Sequence, residues 1–223
     1  MNMIQKLIML FLLIYLTGVI FDGHAVEVDT RKVIAVMDTG ISYEQHHKKY
    51  MCSTLGITLM GVDLLDRNGH GTNVVGLIGD QIDTKKYCII IVKTEGDEYL
   101  EGLNVITQVS NVVAVNLSWA SSGIPSYLDR IELSYLKILE QSKVIIVAAA
   151  GNDHIELKPG CTVYPACHKP RISIMHVIGN NTSSSSNYGP LVDMWIDGTN
   201  VGTPARTGTS QSAAIYTGTL FKK

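Results

Sequence analysis

Short apolar runs separated by helical patterns follow the N-terminal segment of the chain. The runs are rich in valine and isoleucine and mostly continuous, which is typical of strands buried on both faces of a sheet. The run at 59–65 is weaker than the others. The predicted strands are residues 33–37, 59–65, 89–92, 112–117, 144–149, 172–178 and 191–196.

Two segments between these runs have the periodicity of helices. Residues 100–109 form one of them. In the other, Leu128, Ile131, Tyr135 and Ile138 lie at helical spacing and form one apolar stripe. Repetition of strand, helix and strand requires parallel pairing with right-handed crossovers. We therefore predict an α/β fold, a three-layer sandwich with a mostly parallel central sheet and helices on both faces.

Residues 1–25 have the order of a secretory signal peptide. A short segment with Lys6 precedes the almost wholly apolar residues 7–21, and Gly23 and Ala25 then suit the small positions before a cleavage site. An uncleaved membrane anchor is the alternative, but a membrane span needs about 20 apolar residues. We expect cleavage after Ala25, one domain over residues 26–223, and a secreted or periplasmic location.

Composition narrows the classes of function. Lysine and arginine number 18 against 20 aspartate and glutamate residues, for a formal net charge of −2. This balance excludes a strongly basic protein that grips nucleic acid through bulk charge, so no nucleic acid partner is expected. Hydrophobic residues make up 46% of the chain and charged residues 17%, which excludes a disordered chain.

The pairing of the 4 cysteines stays open at this point. An exported chain can form disulfides, and Cys161 could pair with Cys167, which would leave Cys52 with Cys88. Sequence alone allows three connectivities. A zinc site is disfavoured because the chain has no C-x₂-C pair. We expect neither a bound metal nor another cofactor.

Polar side chains follow several of the predicted strands. Asp38 follows the first strand, His70 the second, Ser118 the strand 112–117 and Asn152 the strand 144–149, while Ser210 precedes a short apolar helix. Chemistry in parallel sheets collects at the carboxyl ends of the strands. The pattern therefore predicts an acid, a base, a nucleophile and an amide donor in one cleft.

The blocks around these residues resemble those of the subtilisin-like serine proteases, the subtilases. Asp38-Thr39-Gly40, Gly69-His70-Gly71-Thr72 and Gly208-Thr209-Ser210 match the three catalytic blocks in the family's order. The resemblance extends from about residue 33 to the C-terminus. Further matching blocks are Val115-Asn116-Leu117-Ser118, Ala148-Ala149-Ala150-Gly151-Asn152, Tyr164-Pro165-Ala166 and Ser186-Asn187-Tyr188-Gly189.

The resemblance implies a serine endopeptidase with a role for each residue. Ser210 would be the nucleophile, His70 the base that takes its proton, and Asp38 the carboxylate that orients the imidazole. The Ser210 backbone N–H, at a helix N-terminus, and the Asn152 side-chain amide would bind the oxyanion.

The resemblance also implies a polypeptide substrate bound as an extra strand, with the protein itself a monomer. The backbone that pairs with the substrate would be that of Ser118, Trp119 and Ala120. Another wall of the first specificity pocket would consist of Ala149, Ala150 and Gly151. The small residues suit a sizeable apolar side chain, whereas Asp153 or Glu156 suits a basic one, so the preference stays open.

The chain departs from the family pattern at several places. Only residues 26–32 precede the first strand, where subtilases usually carry a folding pro-domain. We therefore expect a domain that folds unaided or with another chain, such as a separate chaperone or inhibitor. Asp80 and Asp83 alone do not supply a six-oxygen site, so no calcium is expected after the His70 helix. Asn73 replaces the family's usual second histidine, and Ala120 a frequent glycine.

These departures leave two alternatives to an active peptidase. One is a catalytically silent subtilase module that binds peptides or a partner protein. The other is a fragment of a longer gene that does not fold alone.

Overall fold

The computed structural model describes residues 29–42, 45–58, 63–94, 98–123 and 126–222. The predicted signal peptide, residues 1–25, lies outside these ranges. Contacts divide the chain after Thr30, and the fold described below is the unit that begins at Arg31. Within the described residues, no helix has the length and apolar character that crossing a membrane requires.

A central sheet of 7 strands, all paired in parallel, organises the fold. Its strands are β1 (Lys32–Asp38), β2 (Met51–Thr58), β3 (Tyr87–Lys93), β4 (Val112–Leu117), β6 (Ile145–Ala149), β8 (Met175–Gly179) and β9 (Met194–Trp195). Their order across the sheet is β2-β3-β1-β4-β6-β8-β9. A separate antiparallel pair joins β5 (Ser121–Ser122) to β7 (Val163–Tyr164).

Helices cover both faces of the sheet. They are α1 (Gln45–Lys48), α2 (His70–Gly79), α3 (Tyr99–Gln108), α4 (Ser126–Gln141), α5 (Thr209–Leu220) and the 3₁₀ helix Ala166–Arg171. Alternate residues of β1 pack into two cores: Ile34 with Val75 of α2, and Met37 with Leu103 of α3 and Leu136 of α4. All five side chains are fully buried. The predicted three-layer α/β fold is confirmed.

The strand predicted at 59–65 is contradicted over its described residues, 63–65. The strand in this part of the chain is β2, while residues 63–65 lie outside the strands and 59–62 outside the described residues. β2 lies at the edge of the sheet, and its register against β3 shifts between Met51 and Gly56. Such a shift interrupts the alternation of apolar positions, so the segment has no continuous apolar run for the pattern to detect.

Two disulfides settle the pairing that the sequence left open. Cys52 of β2 is bonded to Cys88 of β3, and Cys161 is bonded to Cys167 of the 3₁₀ helix. The first joins the edge strand to its neighbour. The second closes the short segment that contains β7.

Candidate active site

The carboxyl edge of the sheet brings the predicted site residues together. Asp38 is the last residue of β1, and Asn152 follows the end of β6. His70 is the first residue of α2, and Ser210 lies in the first turn of α5. These helices begin where the strands end, so acidic, basic, hydroxyl and amide groups meet at one edge.

Asp38 and His70 are in direct contact. Asp38 Oδ1 lies 2.7 Å from His70 Nδ1 and also accepts the Thr39 backbone N–H at 2.8 Å. A carboxylate that accepts hydrogen bonds fixes the proton of His70 on Nδ1 and leaves Nε2 as the acceptor. The side chain of Asp38 is 3% exposed and that of His70 is 22% exposed, so solvent reaches the histidine but hardly the aspartate.

Asp66, which the sequence analysis did not single out, joins the Asp38 loop to the start of α2. Its Oδ1 accepts the Thr39 hydroxyl at 2.9 Å and the Gly69 N–H at 2.8 Å. Its Oδ2 accepts the Thr72 N–H at 2.8 Å and the Thr72 hydroxyl at 2.7 Å. Burial opposes ionisation of Asp66, but these hydrogen bonds outweigh it and hold the pKa of the carboxyl below its usual value.

The arrangement satisfies donors that every helix N-terminus leaves without intrahelical partners. Thr72 N–H donates to Asp66, and Gly71 N–H donates to Thr39 Oγ1 at 3.0 Å. The β1 loop approaches so closely that a Cβ on Gly71 would lie 2.3 Å from the Gly40 carbonyl oxygen. His70 is therefore fixed by its backbone as well as by Asp38.

Ser210 has a different partner from the one expected of a nucleophile. Its hydroxyl donates to the Ser118 carbonyl oxygen at 2.7 Å, and the residue is 8% exposed. Among the described residues, no hydrogen bond joins Ser210 to His70. The Ser210 backbone N–H lies in the first turn of α5, where such groups have no intrahelical acceptor.

The amide of Asn152 is oriented by the start of α5. The Thr209 N–H donates to Asn152 Oδ1 at 3.0 Å, which leaves Nδ2 of this exposed residue as a donor. A second bond runs from the Gly151 N–H to Thr209 Oγ1 at 3.0 Å. Two hydrogen bonds therefore hold the segment after β6 against the helix that carries Ser210.

Asn187 is hydrogen-bonded to residues on both sides of Asn152 and holds that loop in place. The sequence analysis did not assign this role. Asn187 is fully buried. Its Oδ1 accepts the Asp153 and Ile155 N–H groups at 3.0 and 2.8 Å, and its Nδ2 donates to the Ala150 carbonyl at 2.8 Å. The available signal was the Ser186-Asn187-Tyr188-Gly189 block, which by itself indicated only a turn.

The two predicted substrate segments flank Ser210, with unequal exposure. Residues 118–120 lie between β4 and β5 and belong to neither sheet. Ser118 is 1% exposed, with its Oγ 2.7 Å from Asn116 Oδ1, so its side chain faces the interior. Trp119 packs against Tyr99 with ring centroids 5.0 Å apart, and Ala120 is exposed. On the facing segment, Ala149, Ala150 and Gly151 are all buried.

Asn73, which stands where the family usually has a second histidine, is fully buried and makes three hydrogen bonds. Its Nδ2 donates to the carbonyls of Val201 and Pro204 at 2.9 and 2.7 Å, and its Oδ1 accepts from Gln211 Nε2 at 3.0 Å. The amide therefore ties α2 to the loop before Ser210 and to α5. The substitution leaves no buried polar group of Asn73 unsatisfied.

The two carboxylates after α2 have protein partners. The Tyr50 hydroxyl donates to Asp80, and Asp83 Oδ2 lies 3.0 Å from Lys86 Nζ. The expected absence of a calcium site there stays a prediction.

Comparisons with known proteins place this geometry in context. The profile described as "Subtilase family" matches residues 29–221. The "Alkaline proteinase" of Hapsidospora chrysogena is 27% identical over 210 residues, which cover 83% of this chain and 50% of that protein. "Subtilisin-like protease 1" of Pseudogymnoascus destructans is 28% identical over 214 residues, which cover 90% of this chain and 50% of that protein. The chain thus spans about half the length of these curated relatives.

Solved structures show the same fold. A "cold adapted subtilisin-like serine proteinase" matches with a TM-score of 0.64 and 24% identity, covering 89% of this chain and 77% of that chain. A "Lanthipeptide Protease" matches with a TM-score of 0.67 and 16% identity, covering 84% and 71% respectively. At these identities the likeness concerns the fold.

Proposed function

The chain belongs to the subtilase family, and we propose that it is a serine endopeptidase in which Asp38, His70 and Ser210 form the catalytic triad. The observation that carries the proposal is the 2.7 Å contact between Asp38 Oδ1 and His70 Nδ1, beside a serine in the first turn of a helix. Structural Asp–His contacts are common, but this one lies at the edge of the sheet where the nucleophile and an amide donor also lie.

His70 is the base in this mechanism. Asp38 keeps the His70 proton on Nδ1, so Nε2 is free to accept a proton from Ser210. To reach it, the Ser210 side chain turns away from the Ser118 carbonyl, its partner in the free protein. Catalytic hydrogen bonds are often long or poorly aligned before substrate binds, so this rotation is compatible with an active site. The Ser210 oxygen then bonds to the carbonyl carbon while its proton moves to His70.

The oxyanion that forms is bound by two donors. They are the Ser210 backbone N–H and Asn152 Nδ2, which the Thr209 N–H leaves free by occupying Oδ1. His70 returns the proton to the amine as the C–N bond breaks, which leaves an acyl group on Ser210. Water attacks this ester with His70 again as the base, and the acid product leaves with Ser210 restored.

The substrate is a polypeptide bound along residues 118–120. This segment lies outside both sheets, so its backbone is placed to pair with an extended chain. We further propose that the protein is exported after cleavage at Ala25 and acts as a monomer. A separate inhibitor or chaperone is compatible with these residues.

A catalytically silent peptide- or protein-binding module is the second candidate. The observation that favours it is the hydrogen bond from Ser210 to Ser118 in place of one to His70. If Ser210 keeps that partner when a peptide binds, the serine is never activated.

Labelling with a fluorophosphonate separates the two functions, because this reagent bonds only to an activated serine. We expect the full chain to be labelled at Ser210, Ser210→Ala to remain unlabelled, and His70→Ala to react far more slowly. A wild-type protein that melts cooperatively but takes no label would favour the binding module. Peptide capture by the same protein would then be the next measurement.

A further inference from the structure

Ser210 lies beside two neighbouring segments, residues 118–120 and 149–151, and the space between them is here called the recess. The strands β4 and β6 are adjacent and parallel, so the two segments leave the sheet side by side. The Ser118 carbonyl accepts from Ser210, and Gly151 is bonded to Thr209. A peptide attacked by Ser210 and held by Asn152 would direct the side chain of its reacting residue, P1, between these two segments.

The methyl group of the exposed residue Ala120 lies close to Gly151 of the other segment. A Cβ added to Gly151 would lie 3.3 Å from the Ala120 Cβ, so there is room for little more than one carbon atom between this methyl group and the Gly151 backbone. Carbon atoms in contact approach to about 3.5–4.0 Å, so a side chain between two walls needs about 7–8 Å from wall to wall. The separation of the Ala120 methyl group from Gly151 is smaller than that, so no side chain fits between these two residues.

Hydrogen bonds hold both walls in place. Gly151, at φ +97°, accepts the Asn187 N–H at 2.9 Å, and Asn187 Nδ2 donates to the Ala150 carbonyl at 2.8 Å. On the other side, Ser121 pairs with Tyr164 directly after Ala120. Neither segment can retreat from the other without losing these bonds, so a large side chain cannot simply push the walls apart.

The acidic residues near this recess do not favour a basic P1 side chain. Glu156 Oε2 is paired with Lys158 Nζ at 2.6 Å, and both side chains are exposed. Asp153 is exposed, where water screens its charge. The width of the recess therefore decides between the side chains that it can accept.

We propose that Ala120 limits the peptidase to substrates with a small P1 residue, glycine or alanine. This inference rests on the proposed function and specifies its substrate class. It departs from both preferences that the sequence left open, a sizeable apolar side chain and a basic one, and restricts P1 to a side chain no larger than a methyl group. Ala120 is then the residue that determines specificity, because removing its methyl group widens the recess.

Peptide p-nitroanilides that differ only at P1 test the proposal. For the full chain, we expect kcat/KM to be about 10- to 200-fold higher with P1 alanine than with P1 phenylalanine. In Ala120→Gly, the ratio of kcat/KM for phenylalanine to that for alanine should rise by about tenfold or more. Ala205→Gly, at an exposed turn outside both segments, is the matched control and should leave the ratio unchanged.

Fluorophosphonate labelling of the same preparations separates the two possible failures, since this reagent carries no P1 side chain. An unlabelled wild-type protein contradicts the proposed function, and the inference fails with it. A labelled protein that prefers phenylalanine, or whose ratio does not change in Ala120→Gly, overturns the inference and leaves the function standing. If the wild-type protein and Ala120→Gly are both labelled but neither cleaves any of the p-nitroanilides, the inference is also overturned.

Discussion

His70 and His168 each contact a carboxylate, but their surroundings differ. His70 Nδ1 lies 2.7 Å from Asp38, and its side chain is 22% exposed. His168 Nε2 lies 3.1 Å from Glu132, and both of these side chains are fully buried between α4 and the 3₁₀ helix. The first pair lies at the carboxyl edge of the sheet, whereas the second joins α4 to the 3₁₀ helix.

The two histidines use opposite ring nitrogens. Arg171 Nη2 lies 3.0 Å from His168 Nδ1, and a guanidinium can only donate, so His168 carries its proton on Nε2 and donates to Glu132. Both of its nitrogens are then occupied by protein groups. His70 carries its proton on Nδ1, and no group of the described residues is hydrogen-bonded to its Nε2. Both residues form a histidine–carboxylate contact, but only His70 keeps a nitrogen that can accept a proton from a substrate or nucleophile.

The largest expected effect is the loss of peptidase activity when the contact between Asp38 and His70 is altered. Asp38→Asn keeps the size of the side chain but replaces one acceptor oxygen of the carboxylate by an NH2 donor, so the side chain no longer fixes the His70 tautomer. We expect kcat for peptide hydrolysis to fall by about 10⁴-fold. The melting temperature should change little by comparison. Steady-state kinetics on a p-nitroanilide substrate measure the loss.

Asp83→Asn is the matched control for that substitution, because Asp83 pairs with Lys86 away from the site. Its kcat should stay close to that of the wild type. Equal kcat values for Asp38→Asn and the wild type would mean that the contact between Asp38 and His70 has only a structural role, like the contact between Glu132 and His168.

The second pair should respond through stability. Glu132→Ala removes one member of a buried pair and leaves His168 without its main acceptor. Leaving a buried donor without its acceptor costs about 1–3 kcal/mol of unfolding free energy, which lowers Tm by about 3–10 °C. Thermal melting measures this, and the fluorophosphonate labelling rate of the folded protein should stay near the wild-type rate.

An exposed glutamate provides the comparison. Glu101→Ala, in the first turn of α3, should cost at most about 1 kcal/mol. If Glu132→Ala melts at the same temperature as Glu101→Ala, the buried pair is not a stabilising contact. If its labelling rate collapses while it is folded, the second pair has a role in the active site.

The two pairs also show what a sequence can and cannot reveal. Asp38 and His70 stand in short blocks with glycine neighbours at strand ends, so both pattern and resemblance brought them together. Glu132 and His168 have no such motif. Their contact depends on how α4 packs on the 3₁₀ helix, and local sequence does not encode that packing.

The same limit applies within the fold and the site. Strand β4 was predicted with its exact bounds because it is a continuous apolar run, whereas β2 was missed because its register shift breaks the pattern. The Asp66 carboxylate, which organises the start of α2, precedes His70 by only a few residues but was not identified. The orientation of Ser210 toward Ser118 follows from a side-chain torsion, which no sequence pattern records.

A further substitution tests the proposed oxyanion donors, which lie beside the contact between Asp38 and His70. Asn152→Ala removes Nδ2 from the proposed oxyanion site. We expect kcat to fall by about 10²–10³-fold with little change in KM, the cost known for such a donor in subtilisin. Steady-state kinetics measure both parameters. An unchanged kcat would mean that Asn152 does not contact the oxyanion and that the Ser210 N–H acts without it.

The smallest expected effect is on the pH dependence of the unfolding free energy. It should differ between Glu132, in the second pair, and Asp66, beside the first pair. Burial raises the pKa of Glu132, against the opposing contact with His168, whereas hydrogen bonds lower the pKa of Asp66 beside the first pair despite its burial. A raised pKa contributes stability that is complete below the ordinary value of 4.5 and is lost as pH rises through the folded pKa. A lowered pKa contributes stability that is present above 3.8 and is lost as pH falls through the folded pKa.

Urea denaturation between about pH 3 and 7 measures these opposite slopes, each at most about 1.4 kcal/mol per pH unit for one proton. Glu132→Gln should remove the decline in unfolding free energy above pH 4.5, and Asp66→Asn should flatten the decline below pH 3.8. Glu101→Gln, exposed on α3, should leave both slopes unchanged. If the unfolding free energies of Glu132→Gln and the wild type change equally with pH, Glu132 titrates as an ordinary exposed carboxyl does. That result would contradict its burial against His168.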